Sequence, residues 1–66
     1  EIEFQEAYFG LLLSRLQFAQ AQDKRNEQRR IFREMKDVAE KADYSVYRER
    51  NQMMETVRLL ERLYGY

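Results

Sequence analysis

The sequence of 66 residues contains no cysteine, no histidine, no proline and no tryptophan, and it has only two glycines. Without cysteine, neither a disulfide framework nor a thiolate zinc site can form. Without histidine, the chain lacks the side chain whose ordinary pKa suits proton transfer near neutral pH. Two separated glycines do not make a glycine-rich phosphate-binding loop. These absences predict that the chain is not an enzyme and that it uses no cofactor and no metal.

Long hydrophobic runs are also missing. The longest apolar segment extends only from Ala7 to Leu13, whereas a membrane helix needs about 18 or more such residues. Glu1, Glu3 and Glu6 precede this segment, in place of the basic residues of a signal peptide. We therefore predict no membrane span and no signal peptide. The lack of cysteine is compatible with the cytoplasm without excluding other compartments, and a first residue other than methionine favours a fragment of a larger protein.

Residues 27 to 64 carry a helical repeat that is uninterrupted by proline or glycine. Their apolar side chains recur at helical steps, which places them on one side of an α-helix. The members of this stripe are Phe32, Met35, Ala39, Ala42, Val46, Met53, Val57, Leu60 and Tyr64. The pattern predicts an amphipathic helix from about residue 27 to about residue 64.

An earlier helix is predicted from about residue 3 to about residue 22. Its apolar residues cover an arc of roughly 220° around the helix axis, which is wider than a single neighbouring helix can bury. The apolar pattern then stops between Gln20 and Arg30. Asp23 and Asn26 are suitable N-caps within that interval, so a turn is predicted at about residues 23–26.

Together these elements predict a single all-α domain. The favoured architecture is an antiparallel helical hairpin with a long second helix, self-associating into a helical bundle with coiled-coil packing. A break near Asp43 to Ser45, where cap-forming residues stand beside weaker helix formers, would instead give a compact three-helix bundle. A domain of this size buries only about 60% of its unfolded surface, which favours stability borrowed from a second chain.

The wide apolar arc predicts a protein–protein interaction or oligomerisation module. Its partner is expected to be a second copy, in a homodimer, or another helical protein. The residues predicted to form the interface are Phe9, Leu12, Leu13, Leu16, Met35, Val46, Met53, Val57, Leu60 and Tyr64. In a monomeric hairpin, part of a set of four large side chains would stay exposed to water: Phe4, Phe9, Leu13 and Phe18.

A basic stripe supports an alternative function as a small nucleic-acid-binding regulator. The segment from Asp23 to Lys36 holds six basic and three acidic residues, although the whole chain has no net charge. Helical spacing places the candidate contacts on one side of the second helix. These contacts are Arg25, Arg29, Arg30, Arg33 and Lys36. Because glutamates interrupt the stripe, nucleic acid is the less favoured partner.

Overall fold

The computed structural model describes residues 2–42 and 47–66, which form three α-helices. These helices are α1 (Ile2–Ala21), α2 (Arg25–Glu40) and α3 (Tyr47–Tyr64). No strand occurs in the described residues, so the predicted all-α fold is confirmed. The Cα atoms extend over 37 × 21 × 13 Å. All three pairs of helices are in contact, and α2 is the middle helix in the sense that its contacts with α1 and α3 are more extensive than those between α1 and α3.

Side-chain contacts near the helix ends define the direction of the chain. Gln28, early in α2, donates a hydrogen bond from Nε2 to the carbonyl oxygen of Ala19, late in α1, at 3.3 Å. Arg25 at the start of α2 donates to the carbonyl oxygen of Tyr64 at the end of α3, at 2.6 Å. Both neighbouring pairs of helices are therefore antiparallel, and the three helices run up, down and up.

The turn between α1 and α2 overlaps the predicted turn, but its chemistry differs. The backbone N–H of Asp23 donates to the carbonyl of Gln20 at 3.1 Å, and that of Lys24 donates to the carbonyl of Ala19 at 3.0 Å. This pair of bonds is the Schellman pattern that ends a helix. Asp23 has a φ of 57°, the left-handed conformation that aspartate tolerates better than most residues. Asp23 therefore ends α1 instead of capping α2, and Asn26, the other predicted cap, lies inside α2.

The predicted second helix is divided in the structure. It ends as α2 at Glu40, where the N–H of Lys41 donates to the carbonyl of Asp37 at 3.1 Å, and α3 begins at Tyr47. The architecture is thus the three-helix bundle that the sequence left as the alternative, and the predicted break from Asp43 to Ser45 lies outside the described residues. The apolar residues of α2 and α3 follow one helical repeat because both helices face the same core. The repeat alone therefore does not distinguish one long helix from two shorter helices joined by a turn.

A single hydrophobic core lies where the three helices meet. Its buried apolar side chains are Phe9, Leu12, Leu16, Ala19, Ile31, Phe32, Met35, Ala39, Ala42, Met53 and Val57. Every helix supplies at least one large side chain that is almost completely covered, including Leu16, Met35 and Val57. Burial of one such side chain contributes about 1.5–3 kcal/mol. The core therefore joins all three helices.

Candidate interaction surface

The residues predicted to form a partner interface lie mostly in this chain's own core. The buried ones are Phe9, Leu12, Leu16, Met35, Met53 and Val57. Leu13 and Leu60 are partly buried against the same core, whereas Tyr64 is 41% exposed. Val46 lies outside the described residues. The stripe that dominates the sequence therefore packs the helices on one another, and most of it is covered within the chain.

A second apolar stripe runs along α1 and faces water. Phe4, Leu11 and Phe18 follow one another at seven-residue steps, and they are 71%, 48% and 65% exposed. Three small residues, also exposed, alternate with them along the same face: Ala7, Ser14 and Ala21. These six residues form what we call the outer stripe. At about 100° per residue, its centre lies about 150° around α1 from the centre of the buried face.

Part of this surface is recognisable in the sequence, but the sequence pattern does not separate it from the core. The sequence predicts that part of a set of four large side chains stays exposed in a monomer; of these, Phe4 and Phe18 are exposed, Phe9 is buried and Leu13 is partly buried. Leu11, which completes the outer stripe, was not among them. The signal that would have found it is the seven-residue repeat from Phe4 to Phe18, which continues through Leu11.

Tyr8 ties the outer stripe to α2. Its hydroxyl donates a hydrogen bond to Oε1 of Glu34, and its ring stacks on Phe4 with the ring centroids 6.2 Å apart. The hydrogen bond to Glu34 raises the pKa of Tyr8 above its ordinary value, because ionisation would remove the donor and place two negative charges together. The stripe is thus flanked on its α2 side by a polar pair with an acceptor carboxylate.

An open groove lies between α1 and α2 on the same flank. Its volume is about 410 Å³. Phe18 and Ser14 of the outer stripe form one wall, and Ile31 of α2 lies in the other. Arg15, Lys24 and Glu27 add charged groups to its lining. The outer stripe therefore opens into a depression that combines apolar walls with charges of both signs.

Most residues of the predicted basic stripe of α2 make contacts within the chain. Arg30 pairs with Glu27 at 2.5 Å, and this guanidinium lowers the pKa of Glu27 by hydrogen bonding to its charged form. Lys36 lies 3.6 Å from a carboxylate oxygen of Glu61. Arg25 contacts the end of α3, while Arg29 and Arg33 are exposed. All five residues of the stripe lie on α2, but three of them have partners inside the molecule.

The C-terminal residues form a polar cluster that the sequence pattern does not predict. Gly65 has a φ of 71°, and this left-handed residue ends α3 and turns Tyr66 back onto the bundle. The Tyr66 hydroxyl donates to Oε1 of Gln28 at 2.7 Å and accepts from Nε2 of Gln20 at 3.0 Å. The guanidinium carbon of Arg25 lies 5.0 Å from the centroid of the Tyr66 ring. Tyr66 thereby joins all three helices at one end of the bundle.

Comparison with known proteins provides no relative from which a function can be transferred. No family model matches the chain, and neither a curated protein nor a solved structure matches it significantly. Across residues 2–42 and 47–66, no helix is both long and apolar enough to cross a membrane. In that same part of the chain, no group of acidic side chains is arranged to hold a metal ion.

Proposed function

We propose that this chain is an oligomerisation module that forms a homodimer through the outer stripe of α1. One observation carries the proposal: α1 exposes Phe4, Leu11 and Phe18 in a regular line, while its opposite face is already buried. A line of large apolar residues at heptad spacing is the pattern by which one helix packs on another. The module therefore keeps one face of α1 for its own fold and the other for a partner.

The arrangement of these residues distinguishes the outer stripe from ordinary surface apolar residues. Single exposed leucines are common on soluble proteins and need no functional explanation. On α3, Leu59, Leu63 and Tyr64 are 48%, 64% and 41% exposed, but all three lie within the last six residues of the helix and are not spaced at seven-residue steps. The outer stripe, in contrast, extends over 17 residue steps of α1, or about 26 Å.

The expected dimer is one of moderate affinity. Complete burial of a large apolar side chain contributes about 1.5–3 kcal/mol, and those of the outer stripe are already partly covered. Association also costs at least about 4 kcal/mol in lost translational and rotational freedom. A single helix face lies at the small end of specific interfaces, which bury about 1,200–2,000 Å² in total. These terms favour a dissociation constant in the micromolar range.

Sedimentation equilibrium of matched leucine variants tests the proposal. Leu11 and Leu59 are both leucines in helices, and both are 48% exposed. We expect Leu11→Gln to weaken dimerisation at least about tenfold, which corresponds to about 1.4 kcal/mol. Leu59→Gln should leave the dissociation constant unchanged, because this residue lies on α3, away from the outer stripe. Circular dichroism of both variants checks that the helices are retained.

Two results would count against the proposal. A wild-type chain that remains monomeric over a roughly hundredfold range up to high micromolar concentration would exclude the homodimer, because mass action must populate a micromolar complex there. Equal weakening by Leu11→Gln and Leu59→Gln would show that association does not depend on the outer stripe. In the first case, another helical protein would replace the second copy as the partner to be sought.

A further inference from the structure

Large and small side chains alternate along the outer stripe. Phe4, Leu11 and Phe18 occupy one heptad position, and the exposed Ala7, Ser14 and Ala21 occupy the position three residues later. These positions correspond to a and d of a two-stranded coiled coil. In a parallel pair, each position meets its own equivalent, so that bulky layers would alternate with empty ones. In an antiparallel pair, a meets d, and every layer then combines one large side chain with one small one.

We infer that two copies, in the homodimer proposed above, pack α1 against α1 in antiparallel orientation with each large side chain opposite a small one. A single register satisfies this condition throughout the stripe. It places Phe4 opposite Ala21 of the second copy, Leu11 opposite Ser14, and Phe18 opposite Ala7. The two-fold axis then passes at the level of residues 12 and 13. Uniform layers let the helices approach closely without voids, which is the packing that stabilises an interface.

Charge complementarity supports the same orientation. In an antiparallel pair, the flank of α1 that carries Tyr8 and Arg15 faces the equivalent flank of the second copy. The register brings Arg15 to within two residue steps, about 3 Å along the axis, of the second copy's Tyr8. Tyr8 is bonded to the Glu34 carboxylate, so the guanidinium approaches a negative group, and the two-fold axis repeats the contact. A parallel pair would place Arg15 beside Gly10, which offers no charge.

The groove between α1 and α2 adds contact area at both ends of the stripe. The register places Phe4 of the second copy at the level of Ala21, next to the groove wall formed by Phe18 and Gln22. The groove volume of about 410 Å³ accommodates an additional aromatic ring. Because a stripe of about 26 Å gives only a small interface, burial of this ring contributes to a stable pair.

Single-cysteine variants test the orientation, because the chain has no cysteine of its own. The antiparallel register separates the two copies of position 14 by about 4.5 Å along the axis, those of position 7 by about 16 Å and those of position 21 by about 26 Å. A disulfide requires Cα atoms within about 7 Å. In a glutathione buffer, Ser14→Cys is therefore expected to form a cross-linked dimer at least tenfold faster than Ala7→Cys or Ala21→Cys. Circular dichroism and sedimentation of the reduced variants confirm that each remains folded and dimeric.

The possible results separate this inference from the proposed function. Equal cross-linking at all three positions would indicate a parallel pair, and a dimer without any cross-linking would place the interface outside α1–α1; either result overturns the inference. The parallel result leaves the homodimer through the outer stripe intact. A wild-type monomer in sedimentation overturns both. As an independent measurement, spin labels on Gln22→Cys should lie about 28 Å apart along the axis in the antiparallel dimer, whereas a separation close to 10 Å would contradict it.

Discussion

The outer faces of α1 and α2 differ in the side chains that they expose to solvent. The outer face of α1 exposes Phe4, Leu11 and Phe18, whereas α2 exposes no large apolar side chain over its whole length. Arg29 and Arg33 are among the residues that α2 exposes instead. The core of this chain accounts for the apolar residues of α2, but for only one of the two apolar faces of α1. The apolar residues of α2 are thus used within the fold, whereas α1 has an apolar face that the fold leaves exposed.

The positions of the helices explain this difference. As the middle helix, α2 is covered on both flanks by α1 and α3, so its apolar stripe needs no other neighbour. A helix at the edge of a bundle has one flank covered and another open, and an apolar residue on the open flank stays wet unless a second chain covers it. Exposed apolar side chains on an edge helix therefore indicate a contact with another chain more strongly than those on a middle helix do.

The largest expected effect contrasts the two faces of α1. Leu16 is completely buried and Leu11 is 48% exposed, five positions earlier on the same helix. Leu16→Ala should reduce the free energy of unfolding by about 2–5 kcal/mol, because it leaves a cavity in the core. Leu11→Ala should change it by no more than about 0.5 kcal/mol in the monomer. Urea denaturation followed by circular dichroism at low chain concentration measures both, and similar losses would contradict the division of α1 into a core face and a contact face.

A smaller effect is expected at the one buried polar side chain of α2. Gln28 is 5% exposed and bonds both the Ala19 carbonyl and the Tyr66 hydroxyl. Gln28→Ala should reduce stability by about 1–3 kcal/mol, because it removes two hydrogen bonds of about 0.5–1.5 kcal/mol each and leaves the Tyr66 hydroxyl without its acceptor. Gln17→Ala, at an exposed position of α1, is the control and should be nearly neutral. If thermal melts give the two variants the same unfolding temperature, the Tyr66 cluster does not stabilise the bundle.

The outer face of α2 provides a further comparison. Arg25 lies over the Tyr66 ring and donates to the Tyr64 carbonyl, whereas Arg29 is an exposed residue one turn later. Arg25→Gln should cost about 0.5–1 kcal/mol, the usual contribution of an exposed cation–π contact, and Arg29→Gln should cost less than about 0.5 kcal/mol. Salt-dependent micromolar binding of a nucleic acid that weakens in Arg29→Gln would instead support the alternative function.

The smallest expected effect is on the titration of Tyr8, which contacts Glu34 across the interface between α1 and α2. The pKa of Tyr8 is raised by its hydrogen bond to Glu34, so this contact stabilises the fold below the ordinary pKa of tyrosine, about 10. The contribution should be lost as the pH rises through the higher pKa of the folded state. Glu34→Gln should bring the Tyr8 pKa down towards its ordinary value, as measured by NMR of selectively labelled tyrosine. An unchanged pKa in this variant would show that Glu34 is not the cause of the shift.

Much of the fold could be predicted because helix periodicity is a local property of the chain. The first helix was expected at about residues 3–22, and α1 spans Ile2–Ala21. The end of α2 at Glu40 could not be placed in the same way, since no proline or glycine marks it. The Tyr66 cluster could not be predicted either, because Gln20, Gln28 and Tyr66 are far apart in sequence and come together only when the helices pack.

The sequence by itself determined that the chain is helical, that it reverses near Asp23, and that α1 carries more apolar surface than one neighbour can cover. These properties follow from side-chain chemistry and from the helical repeat. Only the tertiary structure decided how the apolar arc of α1 is divided, with Leu12 and Leu16 buried and Leu11 and Phe18 left in water. The physical reason is that a periodic pattern defines which residues share a face, whereas burial depends on where the neighbouring helices lie.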